Sequence, residues 1–466
     1  MNRFNRTLAR WRASTAATVL ALGLFGATVA TSPEASAAVG PPEKEELKLG
    51  FIKLTDMAPL AVAYEKGYFE DEGLYVTLEA QANWKVLFDR VVTGELDGAH
   101  MLAAMPLIAA TGTSTAAEII SPLTLSYNGA AITVSNAVWA EMKKQVPMAD
   151  GKPVHPISAA ALKPVLETYK KNGKPFNLGM TFPIGTHNYM LRYWLAAGGI
   201  HPGFYAPVKG DNSGNLKAEA LLSVVPPPQM VPTMDAGTTV GYCVGEPWNQ
   251  QAVFKGLGVP VMTSENIWPD GADKVFGITK GFAEKNPNTT VRMVKALIRA
   301  SAWLDANNNG NRPEAVRIIA KPNYVGAEER VLANSMTGTF EFEKGDKRPI
   351  PDFNKFFRGY YAYPYASDAV WWLTQMRRWG HIPEQKPDGW YLETAKKAYR
   401  GDIYLAAAKE LIADGKMKAG DFPDLSKDFS IKPPRKSPLD GIEFDARKPN
   451  AYLAQFAIGL KGSEQP

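Results

Sequence analysis

Thr181-Phe-Pro-Ile-Gly-Thr-His-Asn-Tyr-Met-Leu-Arg-Tyr-Trp-Leu-Ala-Ala-Gly-Gly-Ile-His-Pro202 reads as a strand end, a tight glycine turn and a complete helix. Thr186 is the expected N-cap, its hydroxyl accepting from an amide two or three residues on. Met190, Tyr193, Trp194 and Ala197 then recur at i, i+3, i+4 and i+7 and give one apolar face. Gly198-Gly199 supplies a left-handed terminus and Pro202 prevents continuation. His187 therefore falls in the first helical turn, among free amides and at the positive end of the dipole, where anions are held readily. The competing reading is an ordinary strand-to-helix junction with a surface histidine.

Working outward, the same strand–helix grammar recurs. Leu47 to Ile52 reads as a strand, Thr55 or Asp56 as an N-cap, and Leu60, Ala63 and Tyr64 as a helix face ended by Gly67. Tyr75 to Ala80 is the next strand, and Asn83 caps a helix with Trp84, Leu87, Phe88 and Val91 on one side. Leu96 to Met101 returns as a strand. Alternation of this kind with short loops predicts an α/β chain built from parallel βαβ units. Three helix starts, at Thr55, Asn83 and Thr186, each follow a strand, so all three belong at the carboxyl edge, where open sheets bind ligands.

Further along, Ile119 to Thr124 and Ala130 to Val134 read as strands, and Asn128-Gly129 between them is a strong hairpin-turn signal. Ile267-Trp-Pro-Asp-Gly271 reads as a turn before a strand Val275 to Thr279, and Asn288 to Asn307 as the longest helix. The chain beyond Phe340 is rich in Tyr, Trp, Pro and Lys, with helical signals over Ala369 to Trp379 and Thr394 to Asp414.

Arg3, Arg6, Arg10 and Arg12, the apolar run Ala16 to Ala30, and Ala35-Ser36-Ala37-Ala38 are expected to form a signal peptide removed near residue 38. The mature protein is expected in the periplasm. Removing those arginines and Glu34 from the formal charge of +5 leaves +2, which argues against a nucleic-acid binder. Cys243 is the only cysteine, so no intrachain disulfide can form.

Candidate chemistry is sparse. Trp84, at the start of its helix, can wall a small flat ligand and donate its indole N–H, or serve as a core residue. His100, in Asp97-Gly-Ala-His100, ends a strand at the same edge and reads either as a ligand or as a satisfied core histidine. Glu246, before Pro247 at a helix start, is a candidate oxygen ligand for calcium. The five histidines show no metal-binding spacing, and there is no Gly-x-Ser-x-Gly, phosphate loop or dinucleotide fingerprint. Cys243 has no histidine beside it in sequence, as a nucleophile would want.

Several stretches together resemble the nitrate/bicarbonate-binding proteins of ABC importers: Leu49 to Leu60, Glu65 to Glu70, Ala82-Asn-Trp84, Asp97 to Leu102 and Thr186-His-Asn188. Arg192 to Ile200, Val244 to Asn249, Tyr363-Pro-Tyr365 and Arg378-Trp-Gly380 extend the resemblance over nearly the whole chain. The resemblance implies a two-lobed periplasmic-binding-protein fold (type II) that closes on its ligand, with a long C-terminal extension wrapping the lobes. It implies lobe I over 39–132 and 250–340, lobe II over 133–249, and the extension over 341–466. The implied function is extracytoplasmic binding of a small inorganic anion, nitrate or nitrite, and delivery to a permease and its ATPase. A monomer is expected, with no nucleic-acid partner and no enzymatic activity.

In the nitrate-binding members a Trp, a Gln, a His and a Lys hold the anion; the Trp corresponds to Trp84 and the His to His187. Asn83, Thr55, Thr186 and Glu246 complete the expected ligand-binding set. The family's Gln falls at Ala130 and its Lys at Pro269, so the resemblance implies a cleft short of one amide and one cation. The bicarbonate-binding members use calcium beside the anion, for which Glu246 is the candidate here. The alternatives are that bicarbonate function and a non-transport enzyme on the same fold.

Overall fold

The computed structural model describes residues 39–113 and 115–466; the expected signal peptide lies outside the described residues. Two mixed sheets organise them. Their strands, in chain order, are β1 (Glu46–Phe51), β2 (Tyr75–Ala80), β3 (Gly98–Leu102), β4 (Ile119–Asn128), β5 (Ala130–Ser135), β6 (Asn177–Met180), β7 (Leu221–Val224), β8 (Gly241–Gly245), β9 (Gly258–Thr263), β10 (Ala272–Thr279) and β11 (Asn354–Lys355). The first sheet has six strands in the order β11-β4-β10-β3-β1-β2, and the second five in the order β7-β6-β8-β5-β9.

The βαβ prediction holds at the start of the chain. β1 pairs in parallel with both β2 and β3, and helices α1 (Ala58–Glu65) and α2 (Trp84–Val92) are the crossovers. Elsewhere the sheets are not purely parallel: β10 runs antiparallel to β3 and β4, and β5 antiparallel to β8 and β9. The reason is that two strands come from chain returning out of the other sheet rather than from a helical crossover.

Asn128-Gly129 is not a hairpin turn. Both residues take positive φ, 59° and 84°, but β4 belongs to the first sheet and β5 to the second. The left-handed pair redirects the chain between layers. The second passage runs from Thr263 to Ala272, where β9 leaves the second sheet and β10 enters the first. The expected boundary at 132/133 falls inside β5, just after the first passage, whereas that at 249/250 falls well ahead of the second, before β9 has formed.

Helix α3 (Thr186–Ala197) follows β6, and α4 (Trp248–Phe254) follows β8. The long helix α5 (Pro287–Asn309), which loses helical φ/ψ at Ala306, Asn307 and Asn308, packs on α1 and on a later helix, α8 (Gly401–Ala413). From residue 341 on, the chain adds β11 to the first sheet and supplies α6 (Ala366–Arg378), α7 (Asp388–Ala398) and α8 (Gly401–Ala413). Tyr399-Arg400 interrupts what reads in sequence as one helix from Thr394 to Asp414: the Arg400 amide donates to the Ser121 carbonyl on β4 instead of continuing the helical ladder. Trp371 of α6 stacks on Trp268 with ring centroids 4.8 Å apart, and the Trp372 indole donates to the Ala272 carbonyl.

Candidate functional site

Four strand ends converge. β1 runs into Leu54-Thr55-Asp56, β2 into Asn83-Trp84, β6 into Thr181, and β8 ends at Gly245. Onto this edge β10 brings Asp273 and Lys274, in a stretch where its register against β4 is irregular on both sides of Lys274. Such irregularities turn side chains out of the regular pleat. Here two adjacent charged residues reach the same cluster.

The cluster is a chain of buried polar groups. His100 Nε2 lies 2.8 Å from Asp56 Oδ1; Lys274 Nζ lies 2.9 Å from Asp56 Oδ2 and 2.5 Å from Asp273 Oδ2. Asp273 Oδ1 accepts from the Thr186 hydroxyl, and its Oδ2 lies 3.7 Å from His187 Nε2. His187 Nδ1 in turn meets the Thr181 hydroxyl at 2.8 Å. The Trp84 ring closes the far side, 5.5 Å from the His100 ring. Every one of these side chains is 1% exposed or less.

The electrostatics follow from one ammonium serving two carboxylates. Burial is the largest influence on Asp56 and Asp273 and pushes both up, but Lys274 together with His100 at Asp56, and with His187 at Asp273, holds both below the usual carboxylate range. Burial would pull Lys274 down; the two carboxylates win and its pKa rises. Burial pulls His100 and His187 down despite the carboxylates beside them. Two carboxylates, one ammonium and neutral imidazoles leave the cluster one negative charge.

Several buried polar atoms here have no hydrogen-bond partner: Thr55 Oγ1, Trp84 Nε1 and His187 Nε2. Unpartnered buried polar atoms are costly and call for an explanation, and these three belong to residues at the same sheet edges. A Cβ on Gly245 would sit 3.3 Å from Asp56 Oδ2 and 3.7 Å from His187 Nε2, so the missing side chain keeps that space open. Gly185 also admits no Cβ, which would meet the Phe182 carbonyl oxygen at 2.8 Å. Its bareness lets the chain turn tightly into α3.

The residues expected from the sequence divide accordingly. Thr55, Trp84, Thr186 and His187 are brought together, and His187 is fully buried rather than on the surface. Thr186 is not the N-cap of α3. Gly185 holds that position, and the Thr186 hydroxyl is aimed at Asp273 instead. Asn83 caps α2 through Val86 N, so its side chain is committed to the helix. His100 is a satisfied core histidine that supports Asp56. The Glu246 carboxylate turns to the Gln250 amide at the start of α4, and burial pushes its pKa up to about 8. Its Oε1 is buried without a partner, but Glu246 is a lone carboxylate: among the described residues no group of three or more His, Cys, Asp or Glu side chains gathers that could hold a metal. The Glu246 site therefore does not fit calcium.

The cleft does contain a cation. Pro269 stands in a turn whose Trp268 is stacked under Trp371 and whose Asp270 pairs with Lys355 at 2.6 Å. The buried ammonium comes from Lys274 instead, together with Asp273 and Asp56. The sequence did carry a signal for them: Asp273-Lys274 is an adjacent opposite-charge pair leading directly into the apolar Val275-Phe276.

Residues 40–320 match the model of the NMT1-like family. The chain belongs to that family. The nitrate/nitrite binding protein NrtA of Nostoc sp. (strain PCC 7120) is 32% identical over 92% of this chain and 90% of its own length. The bicarbonate transport ATP-binding protein CmpC of Synechocystis sp. (strain PCC 6803) is 32% identical over 89% of this chain but only 56% of its own. The crystal structure of the periplasmic nitrate-binding protein NrtA from Synechocystis PCC 6803 superposes with a TM-score of 0.76 at 29% identity, covering 90% of this chain and all of that one. This NMT1-like chain has the mixed α/β periplasmic-binding-protein fold and is a solute-binding protein of the nitrate/bicarbonate class of ABC importers, not an enzyme. Such a component works with a permease and an ATPase. No helix among the described residues is long and apolar enough to cross a membrane.

Proposed function

We propose that the protein is the extracytoplasmic binding component of an ABC importer and takes a small planar oxyanion, nitrate or nitrite, between its two sheets. The observation that carries this reading is the enclosed donor set: the Lys274 ammonium beside Trp84 Nε1, Thr55 Oγ1 and His187 Nε2, none of the last three partnered. Lys274 has three N–H groups and two carboxylate partners, so one donor is spare. An oxyanion that accepts from all four directions satisfies them together. Nitrate leads because all its oxygens accept and none donates, whereas bicarbonate carries one O–H donor into a site of donors, and because similar proteins are named for nitrate. Bicarbonate is the second reading, on the likeness to the bicarbonate transport protein, without the calcium that Glu246 cannot hold.

Thermal-shift screening against nitrate, nitrite, bicarbonate with and without calcium, cyanate and small organic acids tests the ligand. Trp84→Phe removes the indole donor and keeps an aromatic ring, so it should weaken nitrate binding about tenfold, the scale of one lost hydrogen bond. Unchanged calorimetric affinity in both Trp84→Phe and Thr55→Val would sink the assignment of the cleft.

A further inference from the structure

The cluster's charge sets a condition on any anion that enters it. Asp56 and Asp273 are both negative, Lys274 alone is positive, and all three are completely buried. A second negative charge delivered into this enclosure would leave two uncompensated, which a low-dielectric interior resists strongly. We propose, on the reading that the ligand is a small oxyanion, that the site takes it together with one proton from solvent, and that His187 carries that proton.

The geometry separates His187 from every other candidate. His100 is locked as a neutral ring: its Nδ1 faces the Ile52 amide N–H at 3.5 Å, which leaves Nε2 as the proton-bearing atom facing Asp56. A second proton on Nδ1 would confront that N–H. His187 has no such block. Its Nδ1 faces the Thr181 hydroxyl, which donates to a bare nitrogen and accepts from a protonated one by rotating. Its Nε2 has no partner within hydrogen-bond distance, the nearest acceptor being Asp273 Oδ2 at 3.7 Å, and it borders the space left open by Gly245. The charged and titratable groups around it are Asp273 and Lys274 on β10, Asp56 ahead of α1, and Cys243 on β8. The Cys243 thiol is pushed up by burial and stays neutral. Glu246 already keeps its proton. Without ligand the imidazole is neutral because burial pulls it down; an anion at Nε2 reverses that balance.

The imidazolium then donates from both ring nitrogens, one bond to Thr181 and one to the anion, and the cluster's net charge is the same before and after binding. The transported species is thus the elements of an acid, an anion with its proton, although the two arrive separately.

Calorimetric titration of the whole protein with sodium nitrate in imidazole and in Tris, both as chlorides, counts the protons. The expected result is uptake of about one proton per nitrate between the free and nitrate-bound pKa of His187. In that window affinity should fall about tenfold per unit rise in pH. His187→Gln should bind more weakly with no proton uptake and a flat pH profile. Nitrate binding by the unaltered protein with no proton uptake from pH 5.5 to 8.5 would overturn the coupling while leaving the oxyanion reading intact. So would uptake that persists in His187→Gln. Failure of nitrate, nitrite and bicarbonate to bind at any of these pH values would overturn both.

Discussion

Glu246 shows how one residue's setting decides its chemistry. Read in sequence it is an acid at a helix start and a candidate oxygen ligand; in the fold it is completely buried with one amide partner, and burial raises its pKa to about 8. A carboxyl raised above its unfolded value of 4.5 contributes stability that is fully present below pH 4.5 and is lost as pH rises through 8. Glu246→Gln mimics the protonated form. It should therefore abolish that part of the fall in melting temperature between pH 6 and pH 9. Parallel thermal melts of both proteins across that range check it; equal slopes would show that Glu246 is ionised in the fold. Lys274 illustrates the opposite case. Removing it would leave two buried carboxylates without a counter-ion, which destabilises the fold itself.

At the scale of elements, α5 and the segment after β11 are joined through Asp305. Its Oδ2 accepts from three successive amides, Phe356, Phe357 and Arg358, at 3.0, 2.7 and 2.9 Å. Its Oδ1 accepts from Arg312, whose guanidinium also reaches the carbonyls of Leu304, Met336 and Asn354. One carboxylate thus fixes the end of a helix, a later loop and an edge strand. Asp305→Ala strands a buried arginine and three amides together, and should cost about 3–5 kcal/mol. Chemical denaturation at neutral pH measures this. A loss below about 1 kcal/mol would mean the segment after β11 is held by apolar contacts such as Phe356 alone.

At the scale of the whole molecule, the candidate binding groups Thr55, Trp84 and His187 are fully buried. A surface hollow of about 900 Å³ between Leu107, Ile120, Trp390 and Arg400 contains none of them. On the proposed reading a ligand reaches Trp84 and His187 when the sheets part, and the two chain passages, at Asn128-Gly129 and over residues 264–271, absorb that motion. Small-angle scattering should therefore show a more extended protein without ligand and a compact one with saturating nitrate. At a hundred times Kd the ligand should add about 2.7 kcal/mol to stability. An identical scattering radius in both states would count against closure.

What the amino-acid sequence determined by itself was local. It specified the βαβ start, the capped α2 and the position of α3, with Trp84 and His187 each in the first turn of its helix, because helix caps, apolar periodicity and glycine turns act between near neighbours. The tertiary structure decided what depends on distant segments meeting. Asn128-Gly129 became a passage between sheets because each flanking strand found other partners. Thr186 became a donor to Asp273, 87 residues away. The cation of the site came from Lys274 and not from the turn at Pro269, because β10 shifts its register where it passes the cleft. A buried charge reveals itself only when its counter-charges come from other parts of the chain, and Asp56, His100 and Lys274 meet nowhere but in the fold.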